Sequence, residues 1–241
     1  MLIFVPKELT PGEPRVPIVP ETVKKLSAKG VELTVETGVG AACGFADDAY
    51  EQAGAKVATD REGSLGQADV VLRLCKPSTE DIGKLKKGAI QISHLDPFNA
   101  PELVDECVKC GISTIAMEMI PRTTLAQKMD ALSSQANLAG YYAVVLAAER
   151  LNQVLPMMMT PAGTLKPASV FIIGVGVAGL QAIATAKRLG ARVSAFDTRP
   201  VVEEQVQSLG AKFVKVDLGE TGQTKDGYAV ELTDEQKERQ K

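Results

Sequence analysis

The chain has 241 residues, of which 45% are hydrophobic and 24% charged, and a net charge of −3. This is ordinary globular composition with room for one large domain or two modest ones, and the absence of a lysine or arginine block argues against nucleic acid as the main partner. No signal peptide is expected, because Pro6 cuts short the apolar start Met1–Val5, and no membrane span, because the uncharged stretch 131–148 carries Ser133, Ser134, Gln135 and Asn137 where a span needs about twenty apolar residues.

Residues 2 to 116 read as alternating strands and helices. Strands are predicted at Leu2–Val5, Glu32–Glu36, Lys56–Ala58, Val70–Leu74, Ala89–Ser93 and Ser113–Ala116. Helices are predicted at Glu21–Lys29, Asp47–Ala53, Glu62–Gln67, Thr79–Leu85 and Pro101–Cys110. Such alternation implies a parallel sheet with helices on both faces.

Three features of this half invite a chemical reading. Glu13-Pro14-Arg15-Val16 lies in the loop after the first strand, and His94, the only histidine, follows the strand ending at Ser93. Both would then stand at carboxyl ends of strands, where open α/β sheets bind ligands. Arg15 reads equally well as a loop arginine paired to Glu13 or Glu8, and one histidine without a partner makes no catalytic system. Cys107 and Cys110 end a predicted helix, where the dipole is wrong for a redox pair, and nothing nearby completes a zinc site. They read as structural thiols of a reducing compartment, with no metal expected.

The polar run Arg122 to Asn137 comes next, and a long helix is expected to follow to about Asn152. Thr124-Leu125-Ala126-Gln127 fits a capping box, with Thr124 as N-cap. The small residues Ala136, Ala139, Gly140, Ala143 and Ala147 would let this helix pack closely on every side and wall a cleft between two domains. Val154 to Pro167 reads as a connection.

Val170 to Ile173 is an apolar run of the kind a strand buried on both faces shows. Gly174-Val175-Gly176-Val177-Ala178-Gly179 follows at once, then helical spacing through Leu180, Ile183, Ala184 and Leu189 until Gly190. A second apolar run, Val193 to Phe196, ends on Asp197, and a third strand is predicted at Lys212–Val216. Strand, glycine turn, helix, strand and acid form the dinucleotide-binding fingerprint. Gly174 permits the tight turn, Gly176 lets the backbone approach a pyrophosphate, and Gly179 lets the helix sit close to the sheet. The helix start, with the amides of Val177 and Ala178, offers N–H groups to phosphates.

Asp197, 18 residues after Gly179, is placed to accept the hydroxyls of the adenine ribose, which favours NAD(H) over its 2′-phosphorylated form. Arg199 complicates this, because a nearby arginine can host a 2′-phosphate. Asp197 is preferred because it stands at the strand end. Beyond it, Leu218 to Val230 is a long loop with one aromatic, Tyr228, and Thr233-Asp234-Glu235-Gln236 is a second capping box. Residues 169–216 make one βαβαβ half where a complete dinucleotide fold has two, so the chain is expected to be truncated.

These segments together resemble the NAD(H)-binding soluble component, the alpha subunit, of proton-translocating NAD(P) transhydrogenase. The resemblance runs from Val5-Pro6-Lys7-Glu8 and Glu13-Pro14-Arg15-Val16 to the end. It is most specific in Arg122…Gln127…Asp130-Ala131-Leu132-Ser133-Ser134-Gln135, in the glycine turn, and in Ala195-Phe196-Asp197-Thr198-Arg199-Pro200. It implies that Arg122, Gln127 and Asp130 form a catalytic loop over the nicotinamide end of NAD(H), with Ser133 as the neighbouring carboxamide contact. Thr198 joins Asp197 and Arg199 at the adenosine end, and Tyr228 matches a mobile lid tyrosine. This overrides the capping-box reading of Thr124.

The family reaction it implies is direct hydride transfer from NADH to NADP⁺ on a separate NADP(H)-binding component, with a membrane component coupling the exchange to protons. A homodimer, cytoplasmic and peripheral to the inner membrane, is implied as well. Alanine dehydrogenase is the alternative relative, sharing Glu13-Pro14-Arg15-Val16 and His94-Leu95. Its substrate lysine should stand two residues before Pro77, however, where this chain has Cys75. An inactive nucleotide-binding fragment is the further alternative. The expected fold is α/β, with two Rossmann-like parallel-sheet domains joined by a long helix and the second only half present. The expected bounds are 1–128, the helix 129–153, and 154–241.

Overall fold

The computed structural model describes residues 1–219, 221–222, 224 and 229–240, in two compact units, 1–130 and 131–241. The first unit runs β1 (Leu2–Val5), α1 (Pro20–Ser27), β2 (Glu32–Glu36), α2 (Asp47–Gln52), β3 (Lys56–Ala58), α3 (Arg61–Gln67), β4 (Val70–Leu72), α4 (Thr79–Gly83), β5 (Ile90–Ser93), α5 (Pro101–Cys110) and β6 (Ser113–Ala116). Its strands form one sheet in the order β3-β2-β1-β4-β5-β6, with every pair parallel. This is the doubly wound order of nucleotide-binding sheets, reversing direction between β1 and β4.

The alternation of a strand explains why both faces are covered. Phe4 and Val5 are adjacent, point oppositely, and are both fully buried in separate cores. Leu65, Val71 and Ile82 pack around Phe4, and Val23, Leu33, Val35 and Tyr50 around Val5. Helix starts are set locally. The Asp60 carboxylate accepts from the Gly63 N–H at 3.0 Å at the head of α3, and the Ser78 hydroxyl accepts from the Asp81 N–H at 3.1 Å at the head of α4. Gly111, at φ +67°, closes α5 in the left-handed conformation.

The second unit runs α6 (Ala131–Arg150), β7 (Met158–Thr160), β8 (Gly163–Leu165), β9 (Ser169–Ile173), α7 (Val177–Arg188), β10 (Arg192–Phe196), α8 (Glu203–Ser208), β11 (Lys212–Phe213) and α9 (Asp234–Gln240). Parallel strands in the order β11-β10-β9 make one βαβαβ half, packed through Val175, Ile183, Ala186, Ala195 and Val206. The capping box before α9 is formed: Thr233 N–H donates to Gln236 Oε1 at 2.9 Å, and Gln236 N–H donates to the Thr233 hydroxyl at 3.3 Å.

Several expectations need correction. β9 is buried on one face only, with Phe171 52% and Ile173 70% exposed, because it is the edge strand of the three and its other face is uncovered among the described residues. α6 buries Gly140 and Val144 but exposes Leu138, Tyr141 and Tyr142, so it packs along one stripe of its unit rather than on every side. Residues 154–167 are not a plain connection, since β7 and β8 pair as an antiparallel hairpin through Thr160 and Gly163. The third strand of the half is only two residues long.

Candidate functional site

The glycine turn is built from two chain segments that hold each other. Gly174, at φ +89°, donates its N–H to the Phe196 carbonyl at 2.8 Å, tying the end of β9 to the end of β10. Val175 then dives into the core, 1% exposed. Gly176 is extended (φ −82°, ψ −164°) and precedes α7 with no side chain capping that helix. The first N–H groups of a helix have no partner within it. The amides of Val177, Ala178 and Gly179 therefore open onto an electropositive end free of any competing side-chain cap.

The three glycines have different reasons. A β-carbon on Gly179 would run into the Gly174 carbonyl oxygen, so only glycine lets α7 start this close to the turn. A β-carbon on Gly176 would meet nothing within 4 Å, which is the open space a close-lying ligand needs. Gly174 needs its positive φ.

Asp197 follows directly from β10. Its Oδ2 accepts from the Val175 N–H at 2.7 Å and from Arg199 Nη2 at 3.0 Å, and its Oδ1 accepts from the Arg199 N–H at 2.8 Å and Nε at 2.9 Å. Arg199 Nη2 also donates to the Val175 carbonyl at 3.1 Å. The two side chains are 6% and 13% exposed. Burial pushes the Asp197 carboxyl up, but the Arg199 guanidinium and the Val175 and Arg199 amides outweigh it and hold the group below the ordinary aspartate value. Beside Asp197 and Thr198 lies a pocket of about 190 Å³, closed by Phe213, Val216 and Leu218 at the carboxyl ends of β10 and β11.

Arg122, Gln127 and Asp130 share one loop of the first unit. Arg122 and Gln127 are exposed and Asp130 half-buried. The Thr124 capping box does not form. Thr123 takes the Ala126 amide instead, on its carbonyl at 3.1 Å and its hydroxyl at 3.3 Å. The chain then makes a 3₁₀ turn at Gln127–Met129 before α6 begins at Ala131. Ser133 lies on the first turn of α6, half-buried, in the second unit. Tyr228 lies outside the described residues.

In the first unit, Arg15 is bound by Glu13, with Nη2 to Oε2 at 2.5 Å and Nε to Oε1 at 2.7 Å. The Arg15 hydrogen bond is the main cause of the lowered Glu13 pKa. A pocket of about 260 Å³ lies between these residues, Glu8 and Gly38. Glu8 spans the reversal point of the sheet, accepting the Leu74 and Cys75 amides on Oε1. His94 Nδ1 stands 2.9 Å from the Leu74 carbonyl, and Lys76 pairs with Asp96 at 3.6 Å. Cys107, 5% exposed, is a free thiol whose pKa burial raises. Among the described residues no group of three or more His, Cys, Asp or Glu side chains could hold a metal ion.

Sequence reasoning missed a buried charge cluster. Arg61 reaches Glu36 at 2.6 Å and Asp81 at 2.7 Å, and Arg73 reaches Asp81 at 2.9 Å. Its members are dispersed along the chain, and only the topology brings them together.

Residues 4–139 match the alanine dehydrogenase/PNT N-terminal domain, and residues 143–240 match the alanine dehydrogenase/PNT C-terminal domain. The chain belongs to the alanine dehydrogenase/PNT family. Within this family it is 48% identical over 247 residues to an NAD(P) transhydrogenase subunit alpha chain of Rhodospirillum rubrum, covering 100% of this chain and 64% of that protein. The crystal structure of transhydrogenase from Sinorhizobium meliloti superposes with a TM-score of 0.85 at 49% identity, over 90% of this chain and 62% of that one. The alanine dehydrogenase of Bacillus subtilis is 30% identical over 200 residues, covering 82% of this chain and 52% of that protein. The chain therefore spans less than two thirds of the length of these family members. Among its described residues, no helix is long and apolar enough to cross a membrane.

Proposed function

We propose that this chain is the NAD(H)-binding part of an NAD(P) transhydrogenase, passing hydride from NADH to NADP⁺ held on a partner component. The observation that carries the reading is the turn itself: an uncapped helix start, open space over Gly176, forced closeness at Gly179, and a carboxylate at the end of the next strand. These features fit a dinucleotide. The amides of Gly176, Val177, Ala178 and Gly179 would hold the pyrophosphate. Asp197 would hold the adenine ribose, and the pocket beside Thr198 the adenine.

When bound, the coenzyme supplies a two-electron hydride donor or acceptor. The chain's residues then have positioning work to do, because exchange between two nicotinamides moves no substrate proton. Gln127 and Ser133, which are neutral, would orient the carboxamide without titrating. Arg122 and Asp130 would fix the loop that carries Gln127. The proposal includes a homodimer, and a membrane component that couples the exchange to protons and holds the protein at the membrane from the cytoplasmic side.

The identity to the Rhodospirillum rubrum subunit (48%) against that to the Bacillus subtilis dehydrogenase (30%) favours this reading over amino-acid oxidation. So does Cys75, which stands where a substrate lysine is needed and lies 4.0 Å from Glu13. The test is reduction of an NAD analogue by NADPH when the full-length protein is mixed with its NADP(H)-binding partner. Pyruvate- and ammonia-dependent oxidation of NADH by the protein alone would instead support the dehydrogenase.

A further inference from the structure

We infer that Gly140, on α6, is a positioning residue for the pyrophosphate: it sets the orientation of the Ala178–Gly179 peptide, whose N–H is one of the phosphate donors. This rests on the proposed NAD(H) site and deepens it, by naming a residue that acts through the backbone it packs against.

The peptide joining Ala178 to Gly179 is gripped at two points. A β-carbon on Gly179 would run into the Gly174 carbonyl oxygen, so the turn lies hard against the Gly179 α-carbon. A β-carbon on Gly140 would run into the Ala178 carbonyl oxygen and crowd the carbon atoms behind it, so α6 lies hard against that carbonyl. A peptide unit is planar and trans, and its N–H and C=O point in opposite directions. In a helix the carbonyls point towards the C-terminus and the amides towards the N-terminus, where α7 would meet a phosphate. The carbonyl that α6 presses and the amide that would bind the pyrophosphate are therefore the two ends of one rigid plate, and tilting one tilts the other. Gly140 is buried and lies on the α6 stripe that also holds Ala136, Val144 and Ala148. Val144 and Ala148 pack into the core of the second unit, which holds α6 in place. At Gly140 the nearest neighbours are instead backbone atoms of α7.

The experiment uses the full-length protein and measures affinity by calorimetry. Gly140→Ala should weaken NADH at least about tenfold, the effect of misdirecting one hydrogen bond to a charged group. Adenosine, which carries no phosphate, should bind the variant as it binds the parent. Val144→Ala, one turn along the same stripe, loosens α6 without adding an atom beside Ala178, and should keep the parent affinity for NADH. A second measurement needs no variant to fold. In the parent protein, NADH should slow amide exchange at residues 138–142 as well as at 177–180, because a contact that orients the donor is strengthened in turn when the phosphate binds. Adenosine should slow neither segment. Three results would each overturn the role of Gly140 and leave the dinucleotide site standing: unchanged NADH affinity in Gly140→Ala, an equal loss in Val144→Ala, or slowing at 177–180 without slowing at 138–142. If the parent protein does not bind NADH, the site itself fails and takes this inference with it.

Discussion

The Gly179 α-carbon lies so close to the Gly174 carbonyl oxygen that no side chain fits between them, whereas Gly176, between the two, faces open space. The two glycines should therefore respond oppositely to alanine. Gly179→Ala should destabilise the second unit by at least about 2 kcal/mol through overpacking against backbone, read as a lowered urea midpoint. Gly176→Ala should leave stability within about 0.5 kcal/mol yet weaken NADH binding about tenfold or more, because its β-carbon takes space reserved for the pyrophosphate. Equal stability losses in both variants would contradict this division.

A second close approach holds α6 to α7. A β-carbon on Gly140 would collide with the Ala178 carbonyl oxygen. Gly140→Ala is expected to cost at least about 2 kcal/mol and to increase amide exchange along both helices. An unchanged exchange pattern would show that the helices can separate without cost.

Acid stability of the first unit should depend on Asp81. Burial raises its pKa, but Arg61 and Arg73 outweigh burial and hold it below the ordinary aspartate value. A lowered folded-state pKa contributes stability that is fully present above the unfolded value of about 3.9 and is lost as pH falls through the folded value. The urea midpoint of this unit should drop as pH is lowered from about 5 to about 3. Asp81→Asn leaves Arg73, 6% exposed, without its charge partner. It should cost about 3 kcal/mol at neutral pH and flatten the acid slope. A slope as steep as that of the parent protein would place the acid sensitivity elsewhere.

Gln127 is exposed and lies on a 3₁₀ turn rather than in a packed helix, so shortening it should leave the fold intact. Gln127→Asn is expected to slow single-turnover hydride transfer, on the order of a hundredfold if the ring is misplaced by about 1 Å, while NADH affinity changes far less. Equal losses in both quantities would argue against positioning.

Much of the fold was legible because apolar periodicity reports burial directly. β1, β2, β3, β6 and α5 lie where the spacing put them. Helix ends shifted for local reasons: Pro20 enters α1 because the first helical position needs no N–H. The hairpin β7–β8 was not legible, since all six of its residues are exposed and carry no alternation. Only the turn signal Thr160-Pro161-Ala162-Gly163 marked it. The two capping boxes show the limit of spacing arguments. Thr233 and Gln236 bond reciprocally, whereas near Thr124 the turn closes one residue earlier, on Thr123 and the Ala126 amide. At the candidate site, the glycine pattern gave the turn and the acid, but pairing of Asp197 with Arg199 follows only once the chain bends after β10.

The most direct test is a crystal structure of the full-length protein with NADH bound. Pyrophosphate density is expected against the amides of residues 176–179, ribose hydroxyls on Asp197, and the nicotinamide carboxamide within hydrogen-bonding distance of Gln127. Pyrophosphate away from the start of α7, or a nicotinamide remote from residues 122–133, would contradict the proposed site.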